Sequence, residues 1–482
     1  MVAPVRSLVM RSRRETASLM VLALPICGAQ LAQSGMGATD VIMAGRASAT
    51  DLAAVSVGSS LWMPLMLFMT GTLMGLTPIV AQLLGAQRTE RIRPYLHQTI
   101  WLGLVLGVLS AGLLWVAVMP IFALMEVPQQ VAELAAGYLA AVAFGMPGVA
   151  IYQALRAFSD GMNHTRPSLW ISLIGLGVNI PCNYLLIYGG AGLQDLLGPD
   201  IPSLLQSLPA LGAVGCGIAT ALSMWAMCLS MMIYTRVSQA YDPVALWDTI
   251  SWPHRAMLKE LLHIGLPIGV AIFVEVTLFT LIALFIASLG EVIVAAHQVA
   301  LSITSILFML PLSLAMAVTV RVGNTLGSGH SSRAGFVAWN GLFACLLIAL
   351  LNDLFLWFAA DPIVALYTHN AEVQALATSL IYLAMLYQVS DALQVNMAGA
   401  LRGYKDTRII MVITLISYWL VGLGGGHLLG KSGVPGLFEP LGVHGYWIGL
   451  IAGLTVAALL LGWRLWHISK AVARGKRQVP SS

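Results

Sequence analysis

Charge is what this sequence lacks. Only 9% of its 482 residues are Asp, Glu, Lys or Arg, against roughly 25% in an average soluble domain. Its 24 basic and 20 acidic side chains cannot coat a water-facing surface of this size. That excludes a soluble enzyme, a disordered chain and a nucleic-acid binder. Cysteine is scarce as well. Cys27, Cys182, Cys216, Cys228 and Cys345 show no C-x-x-C pairing and each sits in an apolar run, where thiols behave as small hydrophobes. A disulfide or zinc framework is therefore excluded. No H-E-x-x-H, no Gly-rich phosphate loop and no Ser or Cys nucleophile motif occurs, so neither ATP hydrolysis nor a bound cofactor is expected.

Long apolar runs are what the chain has, at a mean hydropathy of +0.86. A helix needs roughly 20 apolar residues to cross the hydrocarbon core. Twelve stretches meet that length, at 17–39, 52–84, 95–119, 131–157, 168–189, 211–235, 259–288, 293–325, 336–359, 373–401, 409–429 and 443–466. Arg6, Arg11, Arg13 and Arg14 ahead of the first run resemble a signal peptide start. The run extends to about Thr39 without a small-x-small cleavage site, so it reads as a retained span. Alternating sides along the twelve spans puts 22 of the 24 Lys and Arg residues on one face, leaving only Arg46 and Lys431 opposite. The positive-inside rule then places both termini in the cytoplasm, which requires an even span count.

Displacing the chain by 242 residues brings Leu24-Pro25-Ile26 onto Leu266-Pro267-Ile268 and residues 52–87 onto 294–329, with ten of those 36 positions identical. At a displacement of 246, Ala154-Leu155-Arg156 meets Ala400-Leu401-Arg402. The expected fold is an all-α polytopic membrane protein of two pseudo-symmetric six-helix lobes. Six spans per half makes the repeats parallel, as in secondary transporters. The expected division is a cytoplasmic tail 1–16, an N-lobe 17–235, a cytoplasmic linker 236–258, a C-lobe 259–467 and a basic cytoplasmic tail 468–482.

In a chain so short of charge, acids inside spans stand out. Asp40 ends the first span, Glu275 and Asp391 lie midway in the seventh and tenth, and Asp353 is in the ninth. Each costs about 2.5–3.5 kcal/mol on insertion scales. No Lys or Arg sits in a span middle to pair with them. An unpaired carboxylate there binds a cation, takes up a proton, or meets water. Glu275 and Asp391, with Tyr387 one turn before Asp391, are the candidate site for sodium or a proton, since sodium prefers oxygen donors as other hard cations do. A plain interhelical hydrogen bond is the alternative for either acid. Asp353 reads as an interfacial residue touching water. Asp40 shares a helical face with Gln33, which aligns with Glu275 under the repeat, so that face can line a cavity. Asn179 and Asn183 form an i,i+4 pair around Pro181 and suit either cavity lining or interhelical bonding. The 23 Met residues suit either packing or the re-packing of a promiscuous apolar cavity. His297 reads as structural.

The sequence resembles the multidrug and toxic compound extrusion (MATE) family, in its NorM-like bacterial branch. The resemblance rests on Leu24-Pro25-Ile26, on Asp40 within Gly37-Ala38-Thr39-Asp40 followed by Met43-Ala44-Gly45, and on Gln82-Leu83-Leu84-Gly85-Ala86 with its counterpart Gly323-Asn324-Thr325-Leu326-Gly327. Asn179 with Asn183, Pro267 followed by Glu275, Ala295-Ala296-His297-Gln298, and Tyr387/Asp391 ahead of Leu401-Arg402-Gly403-Tyr404-Lys405-Asp406-Thr407 complete it. It covers nearly the whole chain. It implies a V-shaped pair of lobes in a bacterial inner membrane and a secondary antiporter that exports organic cations and other amphipathic drugs against sodium or protons, working as a monomer. It implies a cation site at Glu275, Asp391 and Tyr387, and a cavity site at Asp40, Asn179 and Asn183. Two other readings are a flippase for lipid-linked saccharides, whose cavity is expected to be cationic, and a membrane-embedded enzyme. The latter needs a partner for His97 or His427 at span ends, and none is evident in the sequence.

Overall fold

Inside a bilayer every backbone N–H and C=O must be satisfied within the protein, which leaves an apolar chain of this length the helix. The computed structural model describes residues 2–198, 202, 206–433 and 439–475, with side chains from residue 9 onward except 195–197. Lys476, Arg477 and the side chain of Arg6, all counted above among the cytoplasmic charges, lie outside this set.

The first half comprises α1 (Val2–Ala47), α2 (Ala49–Leu73), α3 (Leu76–Gly85), α4 (Ile92–Leu124), α5 (Gln129–Gly161), α6 (Arg166–Leu197) and α7 (Gly212–Val237). The second comprises α8 (Arg255–Ala287), α9 (Glu291–Gly327), α10 (Ser331–Tyr367), α11 (Ala371–Gly403), α12 (Thr407–Ser432) and α13 (Val443–Ala473). With α2 and α3 read as one span, twelve helices among the described residues are long and apolar enough to cross a membrane, one for each stretch expected from the sequence. The lipid-facing sides are plain: Val105, Val108, Leu109, Val116 and Trp115 are exposed along α4, and Leu347, Leu351, Leu354 and Phe358 along α10.

Two compact units result. One holds Met1–Cys27, Thr77–Arg88 and Leu266–Ser482; the other holds Gly28–Leu76 and Thr89–Gly265. We call them the C-unit and the N-unit. They differ from the lobes 17–235 and 259–467 in that the start of α1 and most of α3 pack with the second half. Glu15 near the start of α1 accepts from Arg321 Nε at 2.9 Å and Nη2 at 2.6 Å, and Asn340 Nδ2 donates to Thr16 Oγ1 at 3.0 Å. At 46 residues, α1 is about 69 Å long by the rise of an α-helix, far more than one crossing needs, so it can serve both units.

The repeat is visible in how α3 meets α9 within the C-unit. A Cβ on Gly85 would run into the Asn324 carbonyl, and one on Gly327 into the Gln82 carbonyl. Positions 82 and 85 are the counterparts of 324 and 327, so the two contacts are the same contact made twice. Only glycine permits this backbone approach.

Two local departures from regular helix and one strapped linker stand out. α6 breaks at Gly189, whose φ of +63° is a glycine conformation, and the Gly190 N–H is taken by the Leu208 carbonyl at 2.9 Å. α12 winds as a π-helix over Leu415–Gly424, and Gly422 there packs on Gly453 of α13, backbone against backbone. The linker is strapped to α4: His97 Nε2 lies 2.9 Å from the Leu246 carbonyl and its Nδ1 accepts from Ser251 N at 3.0 Å, while Gln98 Nε2 donates to the Trp252 carbonyl at 2.9 Å. His97 is thus occupied by backbone, a pairing that sequence spacing did not show.

Candidate functional site

In the N-unit, Asp40 of α1 is buried and its carboxylate is fully engaged. Asn183 Nδ2 donates to Oδ1 at 2.6 Å and Asn179 Nδ2 to the same oxygen at 3.1 Å. Thr220 Oγ1 of α7 donates to Oδ2 at 2.8 Å. The i,i+4 spacing on α6 brings the two amides to one face, and Asn183 Nδ2 also reaches Asn179 Oδ1 at 3.1 Å. Asp40 forms no ion pair, so three neutral donors hold the carboxylate. One wall away, Gln33 Nε2 donates to Ser172 Oγ at 3.1 Å, and the Tyr152 hydroxyl meets the same oxygen at 3.1 Å.

Asp40, Asn179, Thr220, Gln33 and Tyr152 border a cavity of about 550 Å³, whereas Asn183 is not among its lining residues. Asp40, Asn179 and Thr220 are among its polar lining residues, and Met36, Met63, Met66, Met224 and Met227 with Trp62 and Tyr138 are among the others. The Trp62 Nε1–H donates to the Tyr138 hydroxyl at 3.0 Å, which satisfies the polar ends of both rings and fixes their orientation. No Lys or Arg is among the lining residues. Such a cavity offers deformable thioethers, flat aromatic surface and one carboxylate, which together suit an apolar cation.

In the C-unit, the structure brings Glu275, Asp391 and Tyr387 together. Asp391 and Tyr387 are buried on α11, and the Tyr387 hydroxyl donates to the Asp391 carboxylate. Gln394 Nε2 donates to Asp391 Oδ1 at 3.0 Å. Glu275, half-buried on α8, lies within electrostatic reach of Asp391. Tyr387 is gripped edge-on by Phe279 and Trp447, with ring centroids 6.2 and 6.0 Å away. Trp447 is fixed in turn by donating to His297 Nδ1 at 3.1 Å, which gives His297 its structural role. Two carboxylates, a phenol and an amide oxygen, from α8 and two turns of α11, are donors a hard cation can use.

Four residues of these sites were not singled out in the sequence: Thr220, Gln394, Tyr418 and Arg402. Tyr418 is turned inward by the π-helical stretch of α12, fully buried, with its hydroxyl unpartnered and within the field of Glu275 and Asp391. Arg402 corrects the expectation that no basic group serves these acids. Its position near the end of α11 reads as a cytoplasmic charge, yet the side chain is buried and its charge acts on Glu275. The repeat was the available signal: at the 246-residue displacement, Ser172 is the counterpart of Tyr418 and Arg156 that of Arg402. Asp353 is buried on α10, and its Oδ1 has no hydrogen-bond partner among the described residues. His427 has the Tyr446 hydroxyl 3.4 Å from its Nδ1 and Phe285 beside its ring.

Comparison with known proteins agrees with this architecture. The MatE family model matches twice, over residues 25–185 and 267–426, and the two matches begin at the 242-residue displacement of the internal repeat. The chain is 43% identical over 465 residues to the multidrug resistance protein PmpM of Pseudomonas aeruginosa, covering 96% of this chain and 94% of that protein. It is 40% identical over 464 residues to the multidrug resistance protein NorM of Aliivibrio fischeri, covering 96% and 97%. The crystal structure of the eukaryotic MATE transporter AtDTX14 superposes with a TM-score of 0.83 over 96% of this chain and 99% of that one, at 22% identity. The chain therefore belongs to the MatE family, whose members are membrane transporters and not enzymes.

Proposed function

We propose that this protein is a multidrug efflux antiporter that exports organic cations and other amphipathic drugs while sodium ions or protons enter. The observation that carries the reading is the pair Glu275 and Asp391, retained at membrane depth with Tyr387 on Asp391 and no ion pair to either carboxylate. A carboxylate held there must be neutralised, and a cation or proton moving into a negative interior releases about 2.3 kcal/mol per charge per 100 mV. The N-unit cavity around Asp40, Asn179 and Asn183 is the drug site in this reading. Its lining favours cations over the pyrophosphate of a lipid-linked saccharide, which would want Lys or Arg there. The names of the relatives, multidrug resistance proteins, support the same cargo. The protein works as a monomer in a bacterial inner membrane, with the tails 1–16 and 468–482 and the linker 236–258 on the cytoplasmic side.

Ethidium efflux from proteoliposomes under separately imposed sodium and pH gradients tests this directly. Glu275→Gln and Asp391→Asn are expected to abolish gradient-driven efflux while the protein still assembles in the bilayer. Uphill efflux at wild-type rates in both variants would overturn the coupling assignment.

A further inference from the structure

Arg156 and Arg402 occupy equivalent places in the two halves, and each is followed four residues on by an aspartate, Asp160 and Asp406. In the N-unit the pair is kept together. Arg156 Nε lies 3.6 Å from Asp160 Oδ2, Ser168 Oγ donates to Asp160 Oδ1 at 3.0 Å, and both Nη atoms donate to Gln30 Oε1 at 3.3 Å. In the C-unit the pair is separated. Asp406 is taken by Arg464, whose Nε is 2.6 Å from Oδ2. Among the described residues Arg402 is left buried without an ion pair, and its Nε–H is unpartnered. The chain around it is held firmly. Gln82 Nε2 donates to the Gly403 carbonyl at 2.9 Å, and Thr319 Oγ1 donates to the Gly399 carbonyl at 2.7 Å.

A guanidinium stays protonated in any protein environment, so burying it without a partner is costly. The groups whose fields meet it are Glu275 on α8 and Tyr418 on α12. We propose that Arg402 is a fixed counter-charge for the Glu275–Asp391 site, and that it sets the site to take one monovalent cation per transport cycle. This rests on the reading of those carboxylates as the coupling site. The charge count is direct. Two carboxylates and one guanidinium leave a single negative charge; Tyr387, Tyr418 and Gln394 add none. One sodium ion or one proton completes the cluster, and a second would leave it positive. The guanidinium stands off from direct contact, so it lowers the site's net charge without occupying the ligand oxygens.

The test is the number of ions exchanged per drug, from the gradient at which ethidium flux reverses in proteoliposomes holding the full chain. One arm imposes a sodium gradient at clamped pH and the other a pH gradient without sodium, which identifies the ion. Wild type and Arg402→Lys are expected to exchange one ion. Arg402→Gln, with two uncompensated carboxylates, is expected to exchange two, or to bind the first at least tenfold more tightly. Arg402→Gln with one ion and unchanged affinity, while Glu275→Gln still loses coupling, would overturn the counter-charge and leave the site assignment intact. Two ions per cycle in the wild type would overturn it without any variant, should Arg402→Gln fail to assemble. Normal coupling in Glu275→Gln and Asp391→Asn would remove the site itself, and this inference with it.

Discussion

Replacing Asp40 by asparagine separates charge from shape in the N-unit cavity. Three donors converge on the carboxylate, at 3.1, 2.6 and 2.8 Å. An amide oxygen at the Oδ1 position still serves Asn179 and Asn183. The amide NH2 then meets Thr220, whose hydroxyl already has a second acceptor in the Cys216 carbonyl at 3.0 Å and can turn to receive it. The network survives with neutral bonds in place of charge-assisted ones. Each loses about 1 kcal/mol at most, or about 1–3 kcal/mol in all. Asp40→Leu instead strands Asn179 Nδ2, while Thr220 keeps the Cys216 carbonyl at 3.0 Å and Asn183 keeps Asn179 Oδ1 at 3.1 Å, and is expected to cost about 1–3 kcal/mol for the stranded donor. The effect on binding is separate. A unit charge about 5 Å from the carboxylate gains about 3 kcal/mol at an effective permittivity of about 20. Since the three donors already share the carboxylate's charge, a loss of about tenfold to a hundredfold is expected in Asp40→Asn. Calorimetric titration in nanodiscs, with a phenanthridinium cation and its neutral phenanthridine analogue, reads it. Only the cation should weaken. An equal loss for both ligands, or no loss for the cation, would refute the reasoning, because Asp40 would then act by shape alone.

Three further substitutions probe the scaffold rather than the charge. Tyr138→Phe removes the acceptor of the Trp62 indole N–H, leaving a buried donor unpaired at a cost of about 1–3 kcal/mol. Thermal unfolding should show that loss, and both the cationic and the neutral ligand should weaken, in contrast to Asp40→Asn. Gly327→Ala pushes a Cβ into the Gln82 carbonyl and should destabilise by about 1–3 kcal/mol, whereas Gly112→Ala, with nothing within 4 Å of its Cβ, should be neutral or slightly stabilising. Equal melting temperatures for the two glycine variants would contradict the close crossing of α3 and α9.

What the sequence made legible follows from what spacing can encode. Apolar length gave twelve spans, and i,i+4 spacing put Asn179 beside Asn183 and Tyr387 beside Asp391, because helical periodicity fixes which face a residue occupies. Spacing is silent on what lies opposite. Thr220 is one hydroxyl among many in apolar helices, and only the packing of α7 against α1 selects it. Arg402 was misread for a related reason. Its Cα sits where cytoplasmic charges belong, but a long side chain can run either way along its helix, and here it runs inward. Asp353 follows Asn352 in an otherwise apolar run, and adjacency along a helix does not say what either side chain meets. The unit boundaries escaped because a contiguous chain suggests contiguous lobes, whereas α1 and the α2–α3 span are each longer than one crossing and are divided between units.

The two halves use one scaffold for unlike chemistry. Gln33 and Ser172, joined by a 3.1 Å hydrogen bond in the N-unit, correspond to Glu275 and Tyr418 in the C-unit; Gly145 corresponds to Asp391. At these positions one half is neutral and the other carries two carboxylates, while both halves bury a guanidinium, Arg156 beside Asp160 in one and Arg402 in the other. The reverse holds one turn or two farther along α1, where Asp40 has Ile282 as its counterpart. On the proposed function, the ion carboxyls therefore belong to one compact unit and the drug carboxylate to the other. Exchange cannot then consist of an ion and a drug competing for a single acid. Each ligand must instead bind one of two conformations more tightly than the other, and the coupling between them cannot exceed the smaller of those two preferences. A variant that spares every ligand contact yet shifts that conformational balance would uncouple the two fluxes without weakening binding of either ligand within its preferred state.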